Sequence, residues 1–465
     1  MAVRFSDDQV VQATGANRLQ QGPRSSYGSI STDTRQLPPG CLFVALVGER
    51  YDAHQFLADA VKNGAAALVV QRGKVSSYPE GCAVFEVPDT LVALGALGRF
   101  HRDRFKIPIG AVTGSNGKTT TKELVGSILD TRGPSLRTAG NLNNEVGVPL
   151  TLFGLEPRHV AAIIEMGMNH KGEIARLTRI AKPDAGLITV VQAAHLEGLG
   201  SIDGVAEAKG ELFHNLPEHA VAVVNADDAR IVKQAVSSGR KTLTFGRAEA
   251  AEVRLASVEP NGKSGLGVTV RESGRDWPIA LRLVGEHNAM NATGAFALGL
   301  ALGYRPEECV RGLEAAQGHA RRLQIHDAPN GVTVVDDCYN ANPASMAAAL
   351  EALGTLSAEG RAVAVLGDML ELGKGEAAEH LELGRRVSDS ASLVAFFGPR
   401  SKAGFEVAAK KLGKSAAHFE DIQQLVSWLS PQLKSGDVVL VKGSRGMKLE
   451  RAVDALVGHA TGGAH

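Results

Sequence analysis

The sequence predicts an α/β protein of three domains, and three observations support that prediction. The chain has 465 residues, which exceeds one ordinary domain of about 100–200 residues. Apolar residues make up 44% of the chain and charged residues 22%, a mixture typical of globular proteins that bury cores. Strand-type apolar runs alternate with helical runs along most of the chain, which is typical of parallel sheets covered by helices.

Residues 1–88 are predicted to form a small α/β domain. Buried strands are predicted at Gly40–Leu46 and Ala65–Val70, with a helix from about His54 to Asn63 between them. A helical segment with leucines three residues apart follows Pro88, so the first domain boundary is predicted near this proline.

Residues 89–318 are predicted to form the central domain. Strand-type runs at 107–112, 160–164, 185–191 and 221–225 are separated by helical segments, which predicts a mostly parallel sheet. From Glu252 to Leu283 the pattern changes to alternating runs with turn signals, as expected of an antiparallel flap. A helix from about Asn288 to Leu302 is predicted to close this domain.

Residues 319–465 are predicted to form a second doubly wound, Rossmann-like domain. Its strands are predicted at 332–337, 362–367, 392–398 and 438–443, each followed by a helical segment. The last five residues, TGGAH, are predicted to be loose.

Charge and composition exclude several classes of function. Lys plus Arg and Asp plus Glu both number 50, so no net field attracts nucleic acid and any anion must be bound locally. The longest apolar stretch, Ala295–Gly303, is about half the length of a membrane-spanning helix. The start of the sequence, MAVRFSDDQVVQ, has two aspartates where a signal peptide is apolar, and the four cysteines form no CxxC pair. These features predict a cytoplasmic protein with reduced cysteines.

The strongest local signal is IGAVTGSNGKTT, where a strand runs through glycines into Lys-Thr and a helix. Backbone N–H groups and a helix amino terminus at such a turn form an anion site. In this pattern Lys118 reaches the outer phosphates and the Thr119 hydroxyl binds Mg²⁺, although Val112 stands where the common P-loop has its first glycine. The alternative is an ordinary glycine-rich turn. The predicted nucleotide-binding residues are Thr113, Gly114, Ser115, Asn116, Gly117, Lys118, Thr119 and Thr120.

Three further residues lie at or after the ends of predicted central strands. Glu165 follows the run at 160–164, at the sheet edge where parallel sheets bind ligands, and is a candidate metal carboxylate or a surface glutamate. His195 follows the next strand, and a ligand and a structural histidine are equally compatible with that position. Lys209 lies about a turn into a predicted helix, where a solvated lysine is the default interpretation.

Polar residues near the second boundary are candidate nucleotide contacts. Asn288 and Asn291 begin a helix and could hydrogen-bond a base or ribose, although Asn288 could equally cap the helix. Arg321 and Arg322 could bring positive charge to a phosphoryl group, or could simply be exposed. A polar cluster at the end of the next strand is also a candidate ligand site, and it consists of Asp336, Asp337, Tyr339, Asn340 and Asn342.

Nine motifs in this order resemble the ATP-dependent Mur ligases of bacterial cell-wall synthesis. They are TGSNGKTT (113–120), TAGNLNNEVGVPLT (138–151), EMGMNHKGEI (165–174), HLEGLGS (195–201), EAKGE (207–211), HNAMN (287–291), DDCYNANPASM (336–346), LGDMLELG (366–373) and KGSRGM (442–447). The nearest resemblance is to the member that joins D-Ala-D-Ala to UDP-MurNAc-tripeptide through an acyl phosphate.

The resemblance implies a role for each domain. The first domain would hold the uridine nucleotide, the central domain Mg-ATP, and the third domain would close over ATP carrying the incoming dipeptide. The implied substrate contacts are Ser31, Thr32, Asp33, Thr34, Arg35, Asn141, Asn143, Asn144, Tyr339, Asn340 and Asn342. A monomer that binds small molecules is implied, with no nucleic acid and no membrane span.

The resemblance also implies a two-magnesium site. The family's lysine at the position of Lys209 is carbamylated and binds a second Mg²⁺ near the positions of Glu165 and His195. Asn291 resembles the adenine contact, Asp337 the ribose contact, and Arg322 the arginine after the domain junction. The sequence departs from the family in having Leu199 for Phe, Arg321 for Gly and Cys338 for Ser.

Three other interpretations compete with this one. The sister ligase that adds the third amino acid carries an Asp-Asn-Pro-Arg motif, which this sequence lacks. Folylpolyglutamate synthetase has no unit comparable to residues 1–88. A nucleotide-dependent switch would bind ATP and ligate nothing.

Overall fold

Three large sheets of five, nine and six strands follow one another along the chain in a computed structural model that describes residues 4–48, 51–192 and 196–458. Each sheet draws its strands from one continuous segment of the chain. The predicted three-domain α/β architecture is therefore confirmed. The predicted domain limits at residues 88 and 318 remain predictions, and they fall between the sheets.

The first sheet is mostly parallel, with strand order β2-β7-β6-β5-β4 and only β2 antiparallel. The elements of this region are β1 (Phe5–Ser6), α1 (Asp7–Thr14), β2 (Asn17–Gln20), β3 (Ser26–Tyr27), β4 (Ile30–Ser31), β5 (Leu42–Val44), α2 (Leu57–Lys62), β6 (Ala67–Gln71), β7 (Ala83–Val87) and α3 (Thr90–Arg102). Strands β1 and β3 form a separate antiparallel pair. Leu94 and Leu97 of α3 are fully buried in the apolar core of this region, which also contains Phe5 and Phe85.

The second sheet has the strand order β16-β15-β14-β13-β12-β11-β8-β10-β9. Its elements are β8 (Ile109–Thr113), α4 (Lys118–Leu129), β9 (Ser135–Arg137), α5 (Gly147–Leu152), β10 (Ala161–Glu165), α6 (Glu173–Ala181), β11 (Ala185–Ile188), α7 (Leu196–Leu199), α8 (Ile202–His214), β12 (Val221–Asn225), α9 (Ala229–Ser238), β13 (Lys241–Gly246), β14 (Val253–Pro260), β15 (Leu266–Glu272), β16 (Arg275–Leu281), α10 (His287–Ala301) and α11 (Pro306–Ala315). Strands β9 to β14 pair in parallel and β14 to β16 antiparallel, as the sequence predicts.

Helices cover both faces of the second sheet. One apolar core contains residues of α4, α10 and α11, and the other contains residues of α5, α6, α8 and α9. A parallel sheet buried on both sides can bind ligands only along its edges, which directs attention to the carboxyl ends of its strands.

The third sheet is doubly wound, with strand order β17-β18-β22-β19-β20-β21 and an antiparallel edge strand, β17. Its elements are β17 (Gln324–Asp327), β18 (Thr333–Asp337), α12 (Pro343–Leu356), β19 (Ala362–Gly367), α13 (Glu376–Ser390), β20 (Leu393–Phe397), α14 (Lys402–Leu412), β21 (Ala416–Phe419), α15 (Ile422–Leu429), β22 (Val438–Lys442) and α16 (Glu450–Val457). Helices α12 to α14 pack on one face and α15 and α16 on the other, as predicted.

Two predicted strands are too long: β5 covers only Leu42–Val44 of the predicted run Gly40–Leu46, and the second case lies in the central domain. The run at 185–191 continues the apolar pattern, but β11 ends at Ile188. Beyond Ile188 the chain leaves the strand and contacts the segment after β8, where the Val190 carbonyl accepts a hydrogen bond from the Ser115 N–H at 2.8 Å. The apolar pattern alone could not distinguish a continuing strand from this buried loop segment.

Some predictions concern residues outside those described, namely His195 and the tail TGGAH at 461–465. Among the helices of the described residues, none has the length and apolar character needed to cross a bilayer. All four cysteines are buried and unpaired with one another.

Candidate active site

A cavity of about 440 Å³ lies where the second and third sheets face each other. Glu165 ends β10, Asp337 ends β18 and Lys442 ends β22, and all three residues line it. The carboxyl ends of parallel strands from both sheets therefore meet at one place, which is where open α/β sheets bind ligands.

The glycine-rich loop between β8 and α4 forms one wall of the cavity. Gly114 and Gly117 have positive φ angles of 149° and 80°, a region that favours glycine. A Cβ atom at Gly114 would collide with Thr189 Oγ1, and one at Gly117 would collide with the Asn291 side chain. The loop leads directly into the amino terminus of the 12-residue helix α4. Loop and helix together provide the anion site that the sequence predicts.

Lys118 supplies positive charge at this loop. Its Nζ donates to the Gly114 carbonyl at 2.9 Å, which holds the side chain back over the loop. The pKa of Lys118 is lowered, and burial is the main cause. The nearby Glu165 carboxylate opposes this shift, and the Arg322 guanidinium adds to it.

Glu165 is a buried carboxylate with one committed oxygen and one free oxygen. Oε1 accepts from Asn143 Nδ2 at 2.9 Å, and the Glu165 N–H donates to Thr138 Oγ1 at 2.9 Å. Oε2 is buried and has no hydrogen-bond partner within the described part of the chain. A fixed carboxylate with an unused buried oxygen fits a hard cation such as Mg²⁺.

Lys209 extends from α8 to the same cavity and is 2% exposed. No described residue forms a hydrogen bond or ion pair with its ammonium group. Burial, followed by repulsion from Lys118, lowers the pKa of Lys209 well below its usual range. This shift favours the neutral, nucleophilic amine over the ammonium form.

The third predicted metal ligand, His195, lies outside the described residues, so its position relative to Glu165 and Lys209 is not part of this geometry. Among the residues that the structure describes, no cluster of three or more His, Cys, Asp or Glu side chains is arranged to hold a metal. The described oxygen donors at the loop are Thr119 Oγ1 and Glu165 Oε2.

The predicted base and ribose contacts also line the cavity, and Asn291 lies against Gly117 of the glycine-rich loop. Asn291 Nδ2 donates to Asn288 Oδ1 at 2.9 Å, while Asn288 Nδ2 donates to the Val284 carbonyl at 2.8 Å. Asp337 accepts from Lys442 Nζ at 2.6 Å and from the Leu323 N–H at 3.2 Å. Asn288 is thus occupied in fixing Asn291 at the start of α10.

The two neighbouring arginines point to different partners. Arg322 donates to Thr119 Oγ1 at 3.1 Å, and its guanidinium lies 4.3 Å from the centre of the Tyr339 ring. Arg321 has a positive φ of 63° and pairs with Glu450 at 3.2 Å. Arg322 is therefore the arginine at the phosphate loop.

The structure brings most of the predicted site residues together. Those that line the cavity are Ser115, Asn116, Gly117, Lys118, Thr119, Thr120, Asn143, Glu165, Lys209, Asn288, Asn291, Arg322, Asp337, Tyr339, Asn340 and Asn342. Thr113 donates to the Met166 carbonyl at 2.7 Å, beneath the loop. Asn144 accepts from the Gly147 N–H at 2.8 Å at the start of α5, and Asn141 is exposed outside the cavity.

The stretch Ser31–Arg35 lies elsewhere, following the edge strand β4 of the first sheet. Hydrogen bonds from Arg35 lower the pKa of Asp33 to about 2. None of these five residues lines the cavity between the second and third sheets.

Several cavity residues were absent from the predicted set, among them Thr189, Gln192, Asn225, His287 and Lys442. Asn225 and Lys442 each end a parallel strand, which is the same signal that identified Glu165. Asn225 Nδ2 donates to the Thr189 carbonyl at 2.8 Å and so supports the turn behind the phosphate loop.

Two family models match the chain. The Mur ligase middle domain matches residues 112–299, and the glutamate ligase domain of Mur ligases matches residues 321–445.

Characterised relatives match over nearly the full length. The chain is 36% identical to the UDP-N-acetylmuramoyl-tripeptide–D-alanyl-D-alanine ligase of Bacillus subtilis (strain 168), with 97% of each chain covered. It is 38% identical to the ligase of the same name from Escherichia coli (strain K12), with 95% of this chain and 96% of the relative covered.

Solved structures agree. A crystal structure of MurF from Acinetobacter baumannii matches with a TM-score of 0.89 and 35% identity, covering 98% of this chain and 99% of the other. MurF ligase from Thermotoga maritima in complex with ADP matches with a TM-score of 0.82 and 28% identity, covering 93% of this chain and 97% of the other.

Proposed function

The chain belongs to the Mur ligase family, and from this premise we propose that it joins D-Ala-D-Ala to UDP-MurNAc-tripeptide at the expense of ATP. The products would be UDP-MurNAc-pentapeptide, ADP and phosphate. The observation that carries the proposal is the convergence of a phosphate loop, two cations and an unsatisfied buried carboxylate in one cavity.

The first chemical step brings two anions together. An oxygen of the tripeptide carboxylate attacks the γ-phosphorus of ATP, the bond from that phosphorus to the β-bridging oxygen breaks, and ADP leaves an acyl phosphate. Two unit charges 4 Å apart repel by about 4 kcal/mol at an effective dielectric constant of about 20. That energy corresponds to roughly a thousandfold in rate.

The cations of the cavity offset this repulsion. Lys118 and Arg322 are both anchored at the phosphate loop, by Gly114 and Thr119 respectively. Because these groups are fixed before the reaction, they would stabilise charge on the transferring phosphoryl group without reorganisation.

In the second step the amine of D-Ala-D-Ala attacks the acyl carbon, the bond from carbon to the phosphate oxygen breaks, and phosphate leaves. The attacking nitrogen loses a proton as the amide forms. Water would compete for the acyl phosphate, so a site enclosed between two domains favours ligation over hydrolysis.

Magnesium fits the unpartnered Oε2 of Glu165, and Thr119 Oγ1 would hold the same ion once its hydrogen bond from Arg322 is released. The chemistry that Mg²⁺ supplies when bound is neutralisation of phosphate charge. Glu165 Oε2 is the buried oxygen available for it.

Lys209 would take part as a carbamate. Its neutral amine can attack CO₂, forming an N–C bond and releasing a proton, which converts a buried amine into an anion. An anion there would relieve the repulsion from Lys118 and, with His195, would hold a second Mg²⁺.

The domains would divide the substrates. We assign the uridine nucleotide to residues 1–88 through Ser31–Arg35, ATP to residues 89–318, and the dipeptide to residues 319–465 near Tyr339 and Asn340. We also assign Asn143 to the tripeptide, and its hydrogen bond to Glu165 supports a place near the reaction centre. A monomeric enzyme of the cytoplasm, where these precursors are made, completes the proposal.

The test is ADP release together with product mass. ADP should appear at the full rate only when ATP, UDP-MurNAc-tripeptide and D-Ala-D-Ala are all present, and mass spectrometry should find the pentapeptide. Running the lysine-containing and diaminopimelate-containing tripeptides in parallel identifies the third residue. ATP turnover that ignores both peptides would indicate a nucleotide switch instead.

A further inference from the structure

A second cavity of about 420 Å³ opens beside the nucleotide cavity, between helices α12 and α13. Its walls include Met346, Ala347 and Leu383, with Arg386 and three glutamates along the rim. Gln192, Ala344 and Ala348 line both cavities, so a thin partition separates them.

Gln192 of that partition is joined to two other side-chain amides that line only the nucleotide cavity. Asn116 of the phosphate loop donates from Nδ2 to Gln192 Oε1 at 2.5 Å and to Asn342 Oδ1 at 3.3 Å. In return, Asn342 Nδ2 donates to Asn116 Oδ1 at 2.8 Å. Asn116 and Asn342 thus form a reciprocal amide pair between residues 226 positions apart, from the second and third sheets' segments.

Asn342 also fixes the start of α12. Its Oδ1 accepts from the Ser345 N–H at 2.9 Å, and its own N–H donates to Ser345 Oγ at 3.0 Å, which is a capping box. The Asn342 carbonyl oxygen thus accepts from Asn116 and Ser345, and its amide nitrogen donates to Asn116. This side chain connects the phosphate loop with the helix that walls the second cavity.

We propose that the Asn116–Asn342 pair positions the start of α12 relative to the phosphate loop, and with it the preceding segment of Tyr339 and Asn340 to which we assign the dipeptide. Asn342 is then a positioning residue that acts through α12. The inference rests on the proposed ligase function. It adds which hydrogen bonds connect the segment assigned to the dipeptide with the loop assigned to ATP.

The geometry favours a selective effect. Asn342 makes none of the hydrogen bonds that hold Lys118, Glu165 or Arg322. Loss of the pair should therefore weaken use of the dipeptide more than it weakens phosphoryl transfer to the tripeptide.

Asn342→Ser tests this, because serine still caps a helix but is too short to reach Asn116. The KM for D-Ala-D-Ala should rise about tenfold, the factor that corresponds to the net loss of one hydrogen bond. The KM for ATP should stay within twofold. The acyl phosphate, trapped by hydroxylamine as the hydroxamate with ATP and tripeptide alone, should form at a rate that falls by a smaller factor than the dipeptide KM rises.

The matched control is Asp421→Ser, at the cap of α15 in the same sheet's segment but outside both cavities. Asp421 accepts from the Gln423 and Gln424 N–H groups at 2.9 Å each, so this exchange also shortens a cap. It should change none of the three kinetic readouts. A rise in the dipeptide KM in this control would attribute the Asn342 effect to general loosening of the domain and would overturn the proposal.

Asn116→Ala gives a second route that leaves the cap of α12 untouched. If the two residues act as a pair, adding Asn342→Ser to Asn116→Ala should raise the dipeptide KM by less than twofold more. Independent, multiplying effects would contradict the proposal, as would an unchanged dipeptide KM or an equal rise in the KM for ATP in Asn342→Ser. Failure of the wild-type enzyme to form any hydroxamate would refute the ligase function itself, a separate result.

Discussion

The carboxyl edges of the second and third sheets face one cavity, yet they differ in whether their buried ionisable groups have hydrogen-bond partners. On the second sheet's side, Glu165 Oε2 and the Lys209 amine have no hydrogen-bond partner among the described residues. On the third, Asp337 is bound by Lys442 and the Leu323 N–H, and Asp368 accepts from the Ser401 N–H at 2.7 Å.

This difference separates binding groups from structural groups. A buried polar atom left unsatisfied costs about 1–3 kcal/mol, so a protein retains one where a ligand completes it. A satisfied buried carboxylate instead holds loops in place. Substitutions of Glu165 and Lys209 should therefore remove activity and spare stability, and substitution of Asp368, which does not line the cavity, should do the reverse.

Lys209→Met should have the largest effect. Removing the amine removes the proposed carbamate, and we expect kcat to fall at least about a thousandfold, as for groups that stabilise charge in a dry site. Steady-state ADP release measures it, with thermal unfolding to show that the fold survives. Depleting bicarbonate should lower wild-type activity as well, and full activity of Lys209→Met would refute the role.

Lys122 is the matched control, since it is also a fully buried lysine of the same domain. Its Nζ donates to the Thr138 carbonyl at 2.7 Å and pairs with Glu123 at 2.8 Å. Lys122→Met should lower the free energy of unfolding, whereas Lys209→Met should raise it in CO₂-free buffer. Because the pKa of Lys209 is lowered in the folded protein, the unfolded chain holds the lysine proton more tightly than the folded protein does. The gain in unfolding free energy from Lys209→Met should therefore be full at low pH. It should vanish as the pH rises through about 10.4, where lysine of the unfolded chain also loses its proton.

Glu165→Gln should have the next largest effect. Glutamine keeps the acceptor for Asn143 but loses the charge of the unsatisfied oxygen, so we expect kcat to fall about a hundredfold. The Mg²⁺ concentration for half-maximal activity should rise in the same titration. A drop in kcat at unchanged Mg²⁺ dependence would separate Glu165 from metal binding.

The sequence was sufficient to predict the residues on the second sheet's edge. Glu165 and the loop from Ser115 to Thr120 lie at strand ends, where the period of the apolar pattern and the glycines indicate a site. Lys209 was assigned only through resemblance to Mur ligases, because a lysine on a helix gives no local sign that tertiary packing buries it.

Side-chain partners across the cavity could not be predicted from the sequence. The sequence also did not predict the edge strands β9, β17 and β21, because each has only three or four residues and therefore little apolar pattern. The choice between Arg321 and Arg322 depends on a backbone φ of 63° and on Glu450, which lies more than a hundred residues away. Such contacts are set by how the domains meet, which one strand's pattern does not encode.

Asp368→Ala tests the third sheet's edge. The buried N–H of Ser401 would lose its acceptor, as would that of Arg400 at 3.3 Å, and we expect the free energy of unfolding to fall by about 2 kcal/mol. The kcat should stay within about tenfold of wild type. Denaturant unfolding measures the first quantity, and Asp389→Ala, which removes an exposed ion pair with Lys411, should change it by less than about 0.5 kcal/mol. Loss of activity without loss of stability in Asp368→Ala would break the comparison.

Arg321→Gly should have the smallest effect, because opposing contributions nearly cancel. Glycine relieves a left-handed backbone that costs a side chain about 1 kcal/mol. It also loses a partly exposed ion pair with Glu450 worth about 0.5 kcal/mol and increases the entropy of the unfolded chain by about 0.5–1 kcal/mol. The free energy of unfolding should change by less than about 1 kcal/mol and the KM for ATP should not change. Arg322→Ala, whose side chain reaches Thr119, should raise the KM for ATP, and the opposite assignment of the two arginines would reverse these results.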